Sequence, residues 1–470
     1  MTALAADAAF GSGIARRSVR KLNRLHGPLA LFLVIVVAFS AVPLGSNRPF
    51  FWSLWSTVLG FAAVAYVGAV SLMRSELYVP LKSIGALCAI FATLCLTLMV
   101  QLLPLGGLYW GAGIVTEAGV RLQPPFVTTT PGETALMLLR WLGYGIMFFL
   151  TLQMASNSAR RMWIIQALAA VIVGHAILAI LSFYQWGNTI LGLEKWAYLD
   201  SVTGTFVNRN SFATFMAVGL TITTALAINA LETRRGVHLM TAIATCALYA
   251  LFLLGALLGS NSRMGLVVGL LGVVAVVACH VRGGQGGRWR LLLGSALAIA
   301  VAVAAAFTYQ SGVWMRFFEL ERSGEIRMEL YRQTWRMIAE APFLGFGGGS
   351  FAQAFQLFHQ PPLDVEILWD RAHNTYFALW SELGLLVGSM PLLLVAIISF
   401  SSLKALRRSG SVDPSVTIWI GGTAVAAVHS LVDFSFEMYA LALLFAMLGG
   451  LAMSANLSRA KGLVGAPAGH

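Results

Sequence analysis

The sequence predicts an all-α integral membrane protein with about twelve spanning helices. Three observations carry that prediction. Of the 470 residues, 58% are hydrophobic and only 11% are charged, against about a quarter charged in ordinary soluble domains. The apolar residues gather in runs of roughly 17–25, the length a helix needs to cross a bilayer. And a lipid interior offers no partner for backbone polar groups, so a single crossing segment must satisfy its own, which a helix does.

The tail, residues 1–26, holds Arg16, Arg17, Arg20, Lys21 and Arg24. The positive-inside rule places it in the cytoplasm. The apolar run that follows is long, and no small-residue cleavage site stands out after it. It therefore reads as a span, not a cleavable signal. Spans are expected near 27–45, 51–73, 83–103, 134–155, 162–186, 211–231, 238–258, 264–281 and 290–308, then near 374–403, 415–433 and 438–456. The short inner turns between them carry Arg160 with Arg161, Arg234 with Arg235, and Arg407 with Arg408, the density the rule requires. A cytoplasmic tail, 457–470, closes the chain.

The long connections, 104–133, 187–210 and 309–373, then all lie outside. Loops of this length are usually functional. The large loop 309–373 is expected to be partly helical. In "RMELYRQTWRMIAEAPFLG" the residues Met328, Tyr331, Trp335 and Ile338 are spaced three and four apart, and Pro342 and Gly345 stop the helix.

Several classes are excluded. Cys88, Cys95, Cys246 and Cys279 lie in apolar runs without metal spacing, so neither a zinc site nor a disulfide framework is expected. The net charge of +12 does not indicate nucleic acid, because the basic residues are scattered between apolar segments.

The candidate site lies on the external face. "TGTFVNRNSFATF" sets Arg209 between Asn208 and Asn210 at the start of the sixth span, and "GSNSRMG" sets Arg263 in a tight turn at membrane depth. Arg327, Arg332 and Arg336 follow on the loop helix, and His373 opens the tenth span, beside Asn374. An external arginine is ordinarily a snorkelling anchor for lipid phosphates. Arg209 and Arg263 differ in standing among small and amide side chains just before a span, where a guanidinium can turn inward and hold a phosphate bidentately. His373 reads either as a solvated helix start or as a general base, since the positive end of a helix dipole favours neutral imidazole. "GFGGGSF" lacks the phosphate-loop pattern and reads as a turn closing the loop helix. "HSLVDFSFE" puts His429 and Asp433 four apart, as a proton relay or a packed buried pair.

These stretches occur in one order: "GTFVNRNSFA", "SNSRMGLVVGL", "RMELYRQTWRMIAEAPFLGFGGGSF", "AHNTYFALWSELGLLVG" and "HSLVDFSFE". Together they resemble the O-antigen ligase/polymerase family of bacterial membrane glycosyltransferases, over roughly 203–437. The resemblance implies a C-type glycosyltransferase architecture and a glycan donor on undecaprenyl diphosphate. The acceptor would be lipid A–core for a ligase, or a second lipid-linked repeat for a polymerase. It further implies that external arginines, here Arg209, Arg263 and Arg327, hold the diphosphate, with Asn208, Asn210 and Asn374 in support. It implies His373 as the base, with no cofactor and no metal. Asp364, Glu366 and Asp370 form no DxD motif. Transfer by single displacement would invert the anomeric carbon. A lipid-linked polysaccharide flippase is the rival of another class, but no inverted repeat or matched pair of broken spans is visible. A purely structural membrane protein would not need arginines and a histidine gathered on one face.

Overall fold

The computed structural model describes residues 24–111, 113–115, 119–281, 313–364, 366–408 and 412–460. Both tail ends and the expected span at 290–308 lie outside them. In chain order the longer helices begin with α1 (Arg24–Ser40), α2 (Pro49–Leu72), α3 (Gly85–Gln101) and α4 (Pro131–Met154). Then come α5 (Ser158–Tyr184), α6 (Arg209–Thr233), α7 (Gly236–Gly259), α8 (Arg263–Val281) and α9 (Val313–Glu340). The chain continues through α10 (Thr375–Gly388), α11 (Met390–Arg408), α12 (Pro414–His429) and α13 (Tyr439–Ala460). Among the described residues nine helices are long and apolar enough to cross a membrane: α2 to α8, α11 and α13. The protein is thus an all-α integral membrane protein. Its described strands are one two-residue pair, Ile114–Val115 with Arg121–Leu122.

Local chemistry explains the helix starts. Pro49 and Pro131 occupy first-turn positions in α2 and α4, where the missing N–H costs nothing. Asn157, Asn208 and Asp413 cap α5, α6 and α12 through their side-chain oxygens. Asp413 also pairs with Arg161 at 2.6 Å, tying the starts of α5 and α12 together.

Helix α6 is the axis of the bundle. In its most apolar stretch 83% of residues are buried, against 22% for α2 and α7. It packs on α5, α7, α8 and α12. Thr221 marks the closest approach: a Cβ on Gly272 of α8 would lie 2.4 Å from its hydroxyl oxygen, and one on Gly421 of α12 would lie 2.5 Å from its methyl. Small residues at such crossings are how helices gain packing in lipid, where apolar surface alone gives no preference.

A second hydrophobic cluster, separate from the bundle core, lies under the large loop and includes Leu330, Met337, Phe346, Phe351, Phe355 and Leu363. Helix α9 turns a different face to it than the aromatic spacing suggests. Met328 and Trp335 are exposed, whereas Leu330, Gln333, Thr334, Met337 and Ile338 are buried. Gln333 is tolerated inside because its amide bonds both ways with the backbone of Gln360, at 2.8 and 3.1 Å.

The apolar run expected as one span over 374–403 is two helices, α10 and α11. Helix α10 is interrupted at Gly384, which has φ +77°. The turn after α9 docks into the break. Phe346 and Gly347 donate to the carbonyls of Ser381 and Glu382, and Leu385 donates to Pro342. Gln101 of α3 donates to Leu344 and Glu382 and accepts from Gly348. The segment "GFGGGSF" therefore serves as a turn that satisfies the peptide groups of a broken helix.

Candidate functional site

The start of α10 is anchored from below. Asn374 accepts from the N–H groups of Tyr376 and Phe377 at 3.0 and 3.2 Å and donates to Leu431 at 3.1 Å. Thr375 N–H donates to Ser430, and the Thr375 hydroxyl donates to the Asp433 carbonyl. Immediately before this cap His373 takes a left-handed backbone, φ +49°, a conformation that costs on the order of 1 kcal/mol or more in a non-glycine residue. Its carbonyl is held by the Tyr331 hydroxyl of α9 at 2.9 Å.

The imidazole lies edge-on to Trp369 and Phe434, with ring centroids 6.2 and 5.0 Å away. Its ring nitrogens make no hydrogen bond among the described residues. Burial lowers the pKa from the usual 6.5. The Asp433 carboxylate opposes this shift and the Arg327 guanidinium reinforces it. Neutral imidazole was expected from the helix dipole; here its main cause is desolvation.

Asp433 is 1% exposed. One carboxylate oxygen accepts from Asn210 at 3.0 Å and the other from the Ser435 hydroxyl. Asn210 in turn accepts from Ser262 at 2.8 Å, which leads to Arg263 at the head of α8. Asn208 caps α6 through the N–H groups of Asn210 and Ser211. The three asparagines expected as supports are thus helix caps and a bridge to Asp433. His429 forms a 2.5 Å contact with Thr214 through Nδ1, while its buried Nε2 has no partner among the described residues.

Arg209 lies over the ring of Tyr198, 5.3 Å from its centroid. Tyr198 feels Arg209, Asp433 and Arg327, and burial raises its phenol pKa. Tyr331 feels Arg327 and Asp433, and it too is raised by burial. Arg209, Arg327, Tyr198, Tyr331, Asp433 and His373 therefore form one electrostatic group. None of Arg209, Arg263 and Arg327 forms an ion pair among the described residues, whereas the neighbouring Arg332 is paired with Glu329 at 2.8 Å. Arg263 is half-buried and joins the group only through Ser262. Such an arrangement offers a neutral nitrogen base beside cationic forks available to an anion. Among the described residues no group of three or more His, Cys, Asp or Glu side chains is placed to hold a metal.

Sequence reasoning missed Tyr198 and the part of Asp433 beneath His373. Nothing in the local pattern marks Tyr198, whose position depends on the 187–208 loop folding back on the bundle. Asp433 carried a signal, its spacing from His429, but the partner that matters is on another element.

Fold and site define a polytopic α-helical protein with an imidazole and guanidinium groups at one end of its bundle. Residues 248–392 match the family model described as O-antigen ligase. Over that stretch the chain is O-antigen ligase-like, the domain of O-antigen ligase/polymerase-type membrane glycosyltransferases. The match contains Arg263, Arg327, His373 and Asn374; Asn208, Arg209, Asn210 and Asp433 lie outside it. A comparison with curated proteins finds no match.

Proposed function

We propose that the protein moves a glycan from undecaprenyl diphosphate to an acceptor hydroxyl at the periplasmic face of the bacterial inner membrane, with lipid A–core as acceptor. His373 takes the proton of the attacking hydroxyl. Arg209, Arg263 and Arg327 bind the donor diphosphate and offset the charge that grows on it as the C1–O bond breaks. One displacement inverts the anomeric carbon. Because arginines supply the counter-charge, the reaction would need neither metal nor cofactor.

The observation that carries this reading is the neutral imidazole of His373 within the field of guanidiniums that have no carboxylate partner among the described residues. In proteoliposomes with a defined polyprenyl-diphosphate glycan and a lipid A–core acceptor, His373→Ala should bind donor but transfer it about 10²–10⁴-fold more slowly. Full transfer by the variant would reduce His373 to a helix cap. The second reading, a polymerase joining lipid-linked repeats, uses the same residues and differs in acceptor. A deletion strain separates them: loss of all polymer from lipid A marks a ligase, and a single repeat left on the core marks a polymerase.

A further inference from the structure

A cavity of about 190 Å³, lined by Asp370 and Arg371 but not by His373, has no part in the chemistry above. It lies between the starts of α2 and α4, the loop after Gly348, and the segment leading to His373. Its wall mixes three guanidiniums, Arg48, Arg140 and Arg371, with three carboxyl groups, Glu133, Asp370 and Glu382.

Arg140 is the buried guanidinium of that wall. It is 4% exposed and stands 4.5 Å over the ring of Trp52. Its Nε donates to Tyr144 at 3.2 Å and Nη2 to the Glu437 carbonyl. It forms no ion pair among the described residues, and Nη1 has no hydrogen-bond partner there. A guanidinium on a cavity wall with an idle donor can offer that N–H to a ligand. Across the cavity Glu382 is 7% exposed and accepts from the Phe351 N–H at 3.4 Å. Its burial pushes the carboxyl up to about 7, so it both donates and accepts near neutrality.

The mixture selects the ligand. A phosphate would meet the arginines but be repelled by Glu133 and Asp370. A lipid chain would strip water from Arg48, Glu133 and Asp370 and return nothing. A sugar ring carries hydroxyls, each donor and acceptor at once. The cavity is smaller than the roughly 300–1,000 Å³ of sites for drug-sized molecules, a size for one ring rather than an oligosaccharide.

The location assigns the ring. Asp370 and Arg371 shortly precede His373 in the chain. Arg371 is paired with Glu437 at 2.8 Å and lies over Phe434, 5.9 Å from its centroid. Phe434 also touches His373. The cavity thus reaches His373 through Arg371 and Phe434, whereas Arg209 and Tyr198 reach it through Asp433. A base must adjoin the acceptor, and the leaving diphosphate must lie away from the incoming hydroxyl. We propose that this cavity is an acceptor subsite that holds one sugar ring of the acceptor glycan. The assignment to the acceptor rests on the function proposed above; the binding of a sugar ring does not.

Full-length protein in nanodiscs should show saturation-transfer NMR signals from free hexoses at millimolar concentration, tested with glucose, galactose, N-acetylglucosamine and glucuronate. Binding should persist in His373→Ala. It should vanish in Ala352→Leu, which fills the cavity from a half-exposed wall position, and weaken in Asp370→Asn, an isosteric change at an exposed side chain. In transfer assays both variants should raise KM for acceptor about tenfold or more, with a smaller effect on kcat. Absence of sugar binding by the wild type, or its survival in Ala352→Leu, overturns the subsite. Displacement of the sugar by equimolar inorganic phosphate would mark an anion site and overturn it as well. Sugar binding without any glycan transfer by the wild type would leave the subsite standing and remove the transferase reading.

Discussion

His373 owes its direction to its backbone. With φ at +49° and its carbonyl on Tyr331, the imidazole is aimed by main-chain geometry and ring packing, with no hydrogen bond to its nitrogens among the described residues. Two charges then tune it in opposite senses. Burial and Arg327 lower its pKa below 6.5, and Asp433 raises it. A base must be neutral to work, so wild-type transfer should fall only as pH drops below the ordinary histidine range. Asp433→Asn removes the raising influence, so the acid limb of the kcat profile should move to lower pH. A limb that stays in place would show that Asp433 does not act on the ring. The same depressed pKa makes protonation unfavourable to the fold, so stability from this group is present above 6.5 and lost as pH falls through the lowered value. Arg209→Ala should cost on the order of a hundredfold in transfer, as for a lost electrostatic donor. Arg209→Lys should recover part, because a point charge replaces a fork. Unchanged turnover in Arg209→Ala would unseat it from the diphosphate.

At the scale of elements, hydropathy located the helices well. The expected spans 51–73, 134–155 and 211–231 correspond to α2, α4 and α6 within a few residues. A long apolar run is a local property, and so is the asparagine that caps it. The break in α10 was not legible. "SELGLLVG" looks continuous, and its interruption exists because another segment, Pro342–Gly347, supplies hydrogen bonds that a straight helix would make internally. A Cβ at Gly384 would stand 2.2 Å from the Phe343 carbonyl oxygen, in a backbone conformation that L-residues rarely adopt. Gly384→Ala should therefore lower stability by at least about 1 kcal/mol and depress transfer by shifting the helix that begins just after His373. A thermal unfolding curve in detergent unchanged from wild type would mean that the docked turn does not hold the break.

For the whole molecule, the sidedness rests on arginine placement, and labelling checks it. In a background without the four native cysteines, Ile367→Cys, at a half-exposed loop position, should react with a membrane-impermeant thiol reagent from the periplasmic side. Thr233→Cys, at the end of α6 next to Arg234 and Arg235, should not. The opposite pattern would put the site in the cytoplasm. The site's members were legible as arginines and a histidine near helix ends; their convergence was not, because Arg209, Arg327, His373 and Asp433 come from four separate segments. The broken helix also bears on how the chain enters the membrane. Fourteen residues of α-helix rise about 21 Å, short of the roughly 30 Å hydrocarbon layer. The insertion machinery thus meets an apolar run long enough for one crossing, within which only α11 is long and apolar enough to span. Segment α10 is held instead through its break by α3 and the turn after α9. Both of these partners precede it in the chain, so a ribosome has already made them when α10 emerges.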